Sequence, residues 1–279
     1  MVWTVLFSWV GSILPPHGLY DQPHMNALLI GNSDKTRRFL DLAGDHFLLI
    51  DDGPMADVFL EEKRAKLFDI GKHSFNPLRG IDSKRARDIA QTLYTASPEG
   101  RETLTVRNGK RALTRLLLGA ARFDKLDGDS SDPGDAEALA TVNDMLLSPV
   151  LRQVLCNPPN FSFRGKVVAR IDRGAIGDFD AFLLASLLIG QFQGQVIVPD
   201  FGFYGRDFYG QLVRQSRLIC AVGFLSELSP HLQQLVLSIK DKTIYRTTRE
   251  DAERLIFYVN PTGNPSVLSD LADGECRTT

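Results

Sequence analysis

Short apolar runs alternate with longer segments of helical periodicity along most of this chain. Each run has the length and near-continuous apolarity of a strand that is buried on both faces of a sheet. The predicted strands span residues 26–30, 46–50, 66–70, 166–171, 195–198, 218–222 and 243–245. Strands that alternate with helices in this way favour an α/β fold, with a mainly parallel sheet and helices on both faces.

The segments between these strands carry apolar residues at helical spacing. The predicted helices span residues 37–43, 84–94, 113–121, 136–147, 179–192 and 250–257. The helix at 179–192 is nearly all apolar, so we expect it to be deeply packed. Residues 125–135 are rich in Asp, Gly, Ser and Pro, which predicts an exposed loop. Residues from about 84 to 158 therefore form a mainly helical insertion between strands.

The composition is that of a globular chain rather than a strongly charged nucleic-acid binder. With 279 residues, 43% of them hydrophobic and 24% charged, the chain fits one large α/β domain with a sizeable core. The net charge of −2 means that any nucleic-acid contact would need a local basic surface. Cys156, Cys220 and Cys276 form no CxxC pair and no zinc set, which predicts a reduced, cytoplasmic setting.

Both termini differ from the main domain, which we place at residues 26–260. Val2–Leu14 is almost wholly apolar, but it is shorter than the roughly 20 residues that span a bilayer. It also lacks the basic start of a secretory signal. We expect the 1–25 segment to be a buried strand or a partner-docking segment, with membrane association at the inner face as the alternative. Residues 261–279 are expected to be a flexible tail.

A degenerate phosphate-loop pattern follows the first predicted strand. A phosphate loop needs a glycine-rich turn with convergent N–H groups, then Lys and Ser/Thr at the start of a helix. Gly31-Asn32-Ser33-Asp34-Lys35-Thr36 supplies the strand–turn–helix order, with Lys35 and Thr36 in place. However, only three residues separate Gly31 from Lys35, where the pattern has five.

Asp34 stands where the pattern has the glycine before the lysine. Its carboxylate would repel phosphates, because two unit charges about 4 Å apart cost roughly 4 kcal/mol at an effective dielectric of about 20. A Mg²⁺ would offset this repulsion if Asp34 turned toward it. The alternative is an ordinary strand-to-helix turn with Ser33 or Asp34 as the N-cap.

A second signal is the run Gln195–Val198 followed by Pro199-Asp200-Phe201. It is similar to the strand that ends at the magnesium-organising acid of P-loop nucleotidases. Phe201 stands where the motor branch of these proteins carries a catalytic glutamate, and its ring cannot accept a proton. In the alternative interpretations, Asp200 caps the next turn while the aromatic residues that follow close the core or form a platform for bases.

Two further motifs complete a resemblance. Ser74-Phe75-Asn76-Pro77-Leu78 follows the third predicted strand, and Glu250-Asp251-Ala252-Glu253-Arg254-Leu255 lies near the end. Taken together with the loop and the Asp200 strand, the succession from about 26 to 257 resembles the HerA–FtsK clade of P-loop motor ATPases. Within that clade it is most similar to the coupling-protein ATPases of type IV secretion and conjugation. The resemblance implies a RecA-like P-loop fold.

The resemblance also implies roles for individual residues. The nucleotide-binding residues would be Gly31, Asn32, Ser33, Lys35 and Thr36. Lys35 would contact phosphate, and the Thr36 hydroxyl with Asp200 would hold Mg²⁺, so ATP and Mg²⁺ are the expected ligands, bound weakly. Ser226-Glu227 stands at the polar sensor position where Gln or Asn is usual. Glu227 is the nearest candidate for a catalytic base, and the alternative is that it caps a turn or faces solvent.

Two sets of basic residues are candidate contact surfaces. Arg107, Arg111 and Arg115 recur at helical spacing beside Lys110, which predicts a basic stripe. This stripe could follow a DNA backbone, meet a neighbouring subunit, or be a solvated face. Arg206, Arg214 and Arg217 follow the Asp200 strand. They are candidates for an arginine finger or for salt bridges at an interface.

These inferences favour a degenerate motor-ATPase-like component of a DNA- or protein-translocating assembly that hydrolyses ATP weakly or not at all. Such a component would form homo-oligomers, or hetero-oligomers with an active ATPase, and could contact DNA. Two alternatives stay open. The first is an active ATP-dependent DNA translocase with an unusual base such as Glu227, and the second is an interaction scaffold that binds no nucleotide.

Overall fold

A computed structural model describes residues 26–95, 104–205, 209–215 and 217–279. The apolar N-terminal segment at 1–25 lies outside the described residues. Within the described part, the strands are β1 Ala27–Ile30, β2 Phe47–Ile50, β3 Lys66–Asp69, β4 Val167–Arg170, β5 Gln195–Val198, β6 Leu218–Val222, β7 Asp241–Tyr245 and β8 Cys276–Thr278. They form one sheet in the order β3-β4-β2-β5-β6-β1-β7-β8.

The sheet is parallel from β1 to β7, and only the β7–β8 pair is antiparallel. The described helices are α1 Thr36–Leu42, α2 Pro54–Glu62, α3 Ser83–Thr95, α4 Leu104–Gly119, α5 Pro133–Met145, α6 Pro149–Cys156, α7 Arg173–Ile176, α8 Asp178–Gln191, α9 Phe201–Tyr204, α10 Tyr209–Arg214, α11 Pro230–Leu237, α12 Arg249–Val259 and α13 Ser266–Ser269. The expected α/β class with a mainly parallel sheet is confirmed. None of the described helices is long and apolar enough to cross a membrane.

Helices cover both faces of the sheet because side chains alternate along each strand. Leu29 of β1 packs in one core with Phe39 of α1 and Phe59 of α2. Leu28 of β1 faces the other core, which includes α8, α11 and α12. Residues from Ala181 to Ile189 of α8 are all buried, so this helix is the deeply packed element that its apolar sequence predicts.

The helices α3 to α6 follow β3 and precede β4 along the chain. The Ser74–Leu78 motif attaches them to the sheet. The Phe75 amide donates to the Val154 carbonyl at 2.9 Å, and Asn76 Nδ2 donates to the Ala121 carbonyl at 2.7 Å. Phe75 also packs edge-on against Phe68 of β3. The motif therefore fastens the helical insertion through a backbone bond, the partly buried Asn76 amide and the buried Phe75 ring.

The structure corrects the expectation for residues 261–279. Instead of a flexible tail, this segment forms α13 and β8, with Leu268 and Leu271 buried. Strand β8 pairs with β7, and its residues are all exposed. The strand was missed because Cys-Arg-Thr has neither the apolar run nor the β-branched enrichment on which a sequence prediction depends.

Candidate functional site

The topology places a crevice between β1 and β6 at the carboxyl edge of the sheet. After β1 the chain passes to α1 on one face, and after β6 it passes to α11 on the other face. These strands are neighbours, so their connections diverge. In open α/β sheets, this divergence is where ligands bind. Strand β6 also separates β1 from β5, the strand that leads to Asp200.

The loop after β1 is fastened to the ends of β6 and β7. Gly31 has φ +113°, and a Cβ there would lie 2.7 Å from the Arg246 carbonyl oxygen, so only glycine fits. The Gly31 amide donates to the Val222 carbonyl at 3.2 Å, and the Asn32 amide donates to the Arg246 carbonyl at 3.0 Å. The first two amides of the loop are therefore directed at neighbouring strands rather than into the crevice.

Asp34 binds the start of α1 with its own carboxylate. Asp34 Oδ1 accepts a hydrogen bond from the Thr36 amide at 2.9 Å. This bond, with a further one from the Thr36 hydroxyl, holds the pKa of Asp34 below its usual value. The N-cap residue itself is Lys35, which corrects the alternative that named Ser33 or Asp34. The Asp34 carboxylate nevertheless occupies the first amide of the helix, the group that a phosphate would otherwise contact.

Lys35 folds back onto its own loop. Its Nζ donates to the Gly31 carbonyl at 2.5 Å and to the Ser33 carbonyl at 3.1 Å. Burial lowers the pKa of Lys35, while the negative charges of Glu227 and Asp34 oppose that shift. Ser33 Oγ donates to Asp273 Oδ1 at 3.2 Å, so the C-terminal segment lies against this loop.

Asp200 caps the short helix α9 and forms an ion pair. Its Oδ1 accepts from the Phe203 amide at 3.2 Å, and its Oδ2 lies 3.1 Å from Arg173 Nη1. The Arg173 guanidinium also stacks 3.7 Å from the centroid of the Phe203 ring. An internal cation thus balances the charge of Asp200 where the resemblance expects Mg²⁺.

The aromatic residues after Asp200 close the core. Phe201 is fully buried and Tyr204 nearly so, whereas Phe203 is only partly buried. Burial is the main cause that raises the pKa of Tyr204, and the nearby Asp52 and Asp200 add to it. In the structure, Asp200 caps α9, and Phe201 and Tyr204 fill the core, as two of the alternative interpretations expected.

Glu227 lies between the Lys35 loop and the Asp200 turn. It ends a 3-10 turn after β6, and its Oε2 accepts from the Gly223 amide at 3.1 Å. The carboxylates of Glu227 and Asp200 both come within 4 Å of the point where a Cβ on Gly202 would lie. The Glu227 carboxylate therefore lies next to that of Asp200, and the residue is exposed to solvent.

The motif at Glu250–Leu255 holds the turn that carries Glu227. Asp251, which is buried, accepts a hydrogen bond from the Leu225 amide at 2.8 Å. Burial raises the pKa of Asp251. Sequence reasoning assigned no role to Asp251 or to Arg173. The position of Arg173 just after a predicted strand, at the carboxyl edge, was the signal that could have identified it.

Several groups that the resemblance assigns to nucleotide or metal are thus engaged within the protein. The amides of Gly31 and Asn32, the Lys35 ammonium and the Asp200 carboxylate have protein partners. No cluster of three or more His, Cys, Asp or Glu suited to a metal ion occurs among the described residues. This arrangement does not fit a magnesium–nucleotide complex held in the manner that the resemblance implies.

The predicted basic stripe lies on α4. Arg107, Arg111 and Arg115 are exposed and Lys110 is partly buried. Arg115 pairs with Asp135, whose buried carboxylate also accepts from the Asp129 amide at 3.0 Å. Arg115 therefore helps to anchor the acidic loop, while a role of the stripe in binding DNA stays a prediction.

The second basic set is divided by the structure. Arg206 lies outside the described residues, and Arg214 is exposed. Arg217 donates from Nε to the Gly194 carbonyl at 2.7 Å and from Nη2 to the Phe192 carbonyl at 2.6 Å. Arg217 also precedes β6, so it lies at the amino edge of the sheet. Its internal bonds favour a structural role over that of an arginine finger.

The β1–loop–α1 order, within a mainly parallel sheet covered on both faces, agrees with a RecA-like P-loop fold, and the structural neighbours identify that fold. Solved structures share this fold. VirB4 of Thermoanaerobacter pseudethanolicus aligns at TM-score 0.59 and 12% identity, over 91% of this chain and 88% of that one. The plasmid coupling protein TrwB, in complex with the ATP analogue ADPNP, aligns at TM-score 0.61 and 11% identity, over 92% and 82%.

An unbound form of the bacterial conjugative coupling protein TrwB, lacking its N-terminal part, gives TM-score 0.60 and 12% identity over the same shares of the chains, 92% and 82%. No family model and no curated protein sequence matches the chain. At these identities the likeness shows the fold. At that level, the resemblance to secretion and conjugation ATPases drawn from the sequence motifs is confirmed.

Proposed function

We propose that this chain is a motor-ATPase-like component of a DNA- or protein-translocating assembly that binds ATP weakly and hydrolyses it weakly or not at all. The observation that supports this most directly is the loop after β1. Lys35 donates hydrogen bonds to carbonyl groups of the same loop, and Asp34 accepts a hydrogen bond from the first amide of α1. The fold it shares with VirB4 and TrwB supports the translocation setting.

A nucleotide would have to displace these internal contacts before it could bind. Lys35 is partly buried and would have to exchange its two carbonyl partners for phosphate oxygens. Hydrogen bonds to charged groups are worth about 1.5–3 kcal/mol. Asp34 is largely exposed, so solvent screens its repulsion of phosphates to less than the Coulomb figure for a buried pair. The loss of the Lys35 bonds and the remaining repulsion by Asp34 both weaken nucleotide binding, which agrees with the weak affinity proposed.

The residue that follows Asp200 supports weak or absent hydrolysis. Phe201 is buried and cannot act as a base. Glu227 lies near Lys35 and Asp200, which keeps an active ATPase as the second candidate function. Its carboxylate, however, already accepts the Gly223 amide. The third candidate function, a scaffold that binds no nucleotide, would differ from the proposed one only in its affinity for nucleotide.

Association with an active ATPase, or with further copies of this chain, would explain why the fold persists with an altered site. In this proposal the exposed Arg214 and the 1–25 segment contribute to the interface, and the α4 stripe is available to DNA. The setting is the cytoplasm, with the inner face of a membrane reached through a partner or through the N-terminal segment.

The proposed function is tested by ATP turnover and sedimentation of the full chain, alone and mixed with the active ATPase of its own translocation system. We expect no turnover above background for the chain alone, and co-sedimentation in the mixture. Glu227→Gln should leave the background unchanged, with Glu250→Gln as the matched surface control. Turnover that Glu227→Gln abolishes would instead establish the active ATPase. A strictly monomeric chain in both samples would contradict the assembly.

A further inference from the structure

A cavity of about 360 Å³ lies between α3 and α8, away from the loop after β1. Its lining includes the last part of α8 and Arg217, which immediately precedes β6. Arg217 thus lies at the amino edge of the sheet, whereas Lys35 follows β1 and Glu227 follows β6 at the carboxyl edge. Because β6 has five residues, the two edges of the sheet are separated by about 17 Å at a rise of about 3.3 Å per residue. The cavity is therefore a separate place from the candidate nucleotide site.

Arg85 is the unusual feature of this cavity. Its Nε and Nη2 atoms are buried and have no hydrogen-bond partner among the described residues. Burial also lowers the pKa of Arg85, while the nearby Asp82 opposes the shift. Asp82 is itself used at the start of α3, where its Oδ1 accepts the Arg85 backbone amide at 2.7 Å. Unpaired buried donors are rare in folded proteins and call for a physical explanation.

The two unpaired nitrogens are a matched pair. Nε and Nη2 lie on one edge of the planar guanidinium, and this edge donates two parallel hydrogen bonds to a carboxylate or phosphate. Arg85 also lines the cavity, so rotation of its side chain would bring this edge to an oxyanion placed there. Binding would supply partners for both nitrogens, which neighbouring protein groups do not.

The remaining lining indicates the kind of anion. Three basic side chains (Lys84, Arg85 and Arg217) and two acidic ones (Asp82 and Asp88) leave one surplus positive charge. A monocarboxylate matches this surplus, whereas a phosphate monoester carries about −1.5 to −2 at pH 7. The apolar side chains of Ile89, Leu187 and Phe192 also line the cavity. They provide contact for an organic group rather than for an inorganic ion.

We propose that the cavity between α3 and α8 binds a small organic monocarboxylate, with Arg85 as the carboxylate-binding residue and the apolar wall as the contact for the body of the ligand. The volume lies at the small end of the range for ligand sites, roughly 300–1,000 Å³. This inference does not depend on the proposed function, because the loop after β1 contributes nothing to the cavity.

The experiment is a titration of the full chain with benzoate and hexanoate, followed by amide chemical shifts in NMR spectra. We expect saturable binding with a Kd of about 1 mM or tighter, and shifts centred on Thr92 and Ser186 in the cavity wall. Benzamide and hexanamide, which lack the charge, should bind at least about tenfold more weakly. Lys35→Ala should leave the carboxylate affinity unchanged.

Variants test whether carboxylate binding depends on the paired donors of Arg85 or on positive charge in general. Arg85→Gln should weaken carboxylate binding by about tenfold or more, and Arg85→Lys, which keeps the charge but loses the paired donors, should give an intermediate loss. Arg87→Gln is the matched control, because Arg87 is exposed on the same helix. Should Arg85→Gln fail to fold, the comparison of acids with amides on the unmodified chain decides the question. Three results would overturn the proposal: no carboxylate binding below about 10 mM, equal loss in Arg87→Gln, or tighter binding of inorganic phosphate.

Discussion

Phe201→Glu is expected to lower the free energy of unfolding by at least about 4 kcal/mol without creating ATPase activity. The substitution introduces the residue type that the sequence resemblance expects after Asp200. In this fold, however, the Phe201 side chain is fully buried in the main core. Losing a buried phenylalanine costs about 3–5 kcal/mol, and placing a carboxylate there adds a desolvation penalty.

Chemical denaturation with an ATP-turnover assay at matched concentrations measures both effects. Phe179→Glu is the control, because Phe179 is 41% exposed in the first turn of α8, where an acidic residue is tolerated or favourable. It should change stability by no more than about 0.5 kcal/mol. A Phe201→Glu variant that is as stable as the unmodified chain and turns over ATP would show that this side chain reaches the crevice.

Phe75→Ala is expected to lower the free energy of unfolding by about 3–5 kcal/mol. Phe75 is 1% exposed and packs against Phe68 and Phe163, with ring centroids 5.8 and 5.6 Å apart. It is thus part of the aromatic cluster that joins the helical insertion to β3. The same cluster includes Phe161, which lies 5.2 Å from Phe68.

The measurement for Phe75→Ala is equilibrium unfolding in urea, followed by far-UV and near-UV circular dichroism. Phe257→Ala is the control, since Phe257 is 63% exposed on α12, and a change within about 0.5 kcal/mol is expected. A loss of less than about 1 kcal/mol for Phe75→Ala would contradict the structural role of the Ser74–Leu78 motif. That result would make the motif a candidate for a functional rather than a structural role.

The elements that carry a strong apolar pattern were predictable from the sequence, and those that depend on strand order were not. Strands β5 and β6 have the bounds that their apolar runs predict. By contrast, the Arg173–Asp200 ion pair joins the ends of β4 and β5, which are separated by β2 in the sheet. Without the strand order, no spacing along the chain brings those two side chains together.

The candidate site shows the same division. The loop and its lysine follow from the strand–turn–helix order, and the place of Glu227 after a strand made it a candidate for the same cleft. The internal bonds of Lys35 were not predictable because they depend on its side-chain rotamer. The bond from the Asn32 amide to the Arg246 carbonyl was not predictable because it depends on where β7 ends.

Calorimetric titration of the full chain with ATP and excess Mg²⁺ tests the central claim most directly, namely that the loop after β1 is occupied by its own side chains. The proposed arrangement predicts a Kd weaker than about 100 µM, or no detectable binding. Lys35→Ala should then change the titration little, because its ammonium is already bound to Gly31 and Ser33. Binding with a Kd of about 1 µM that Lys35→Ala abolishes would contradict the claim and restore an open nucleotide site.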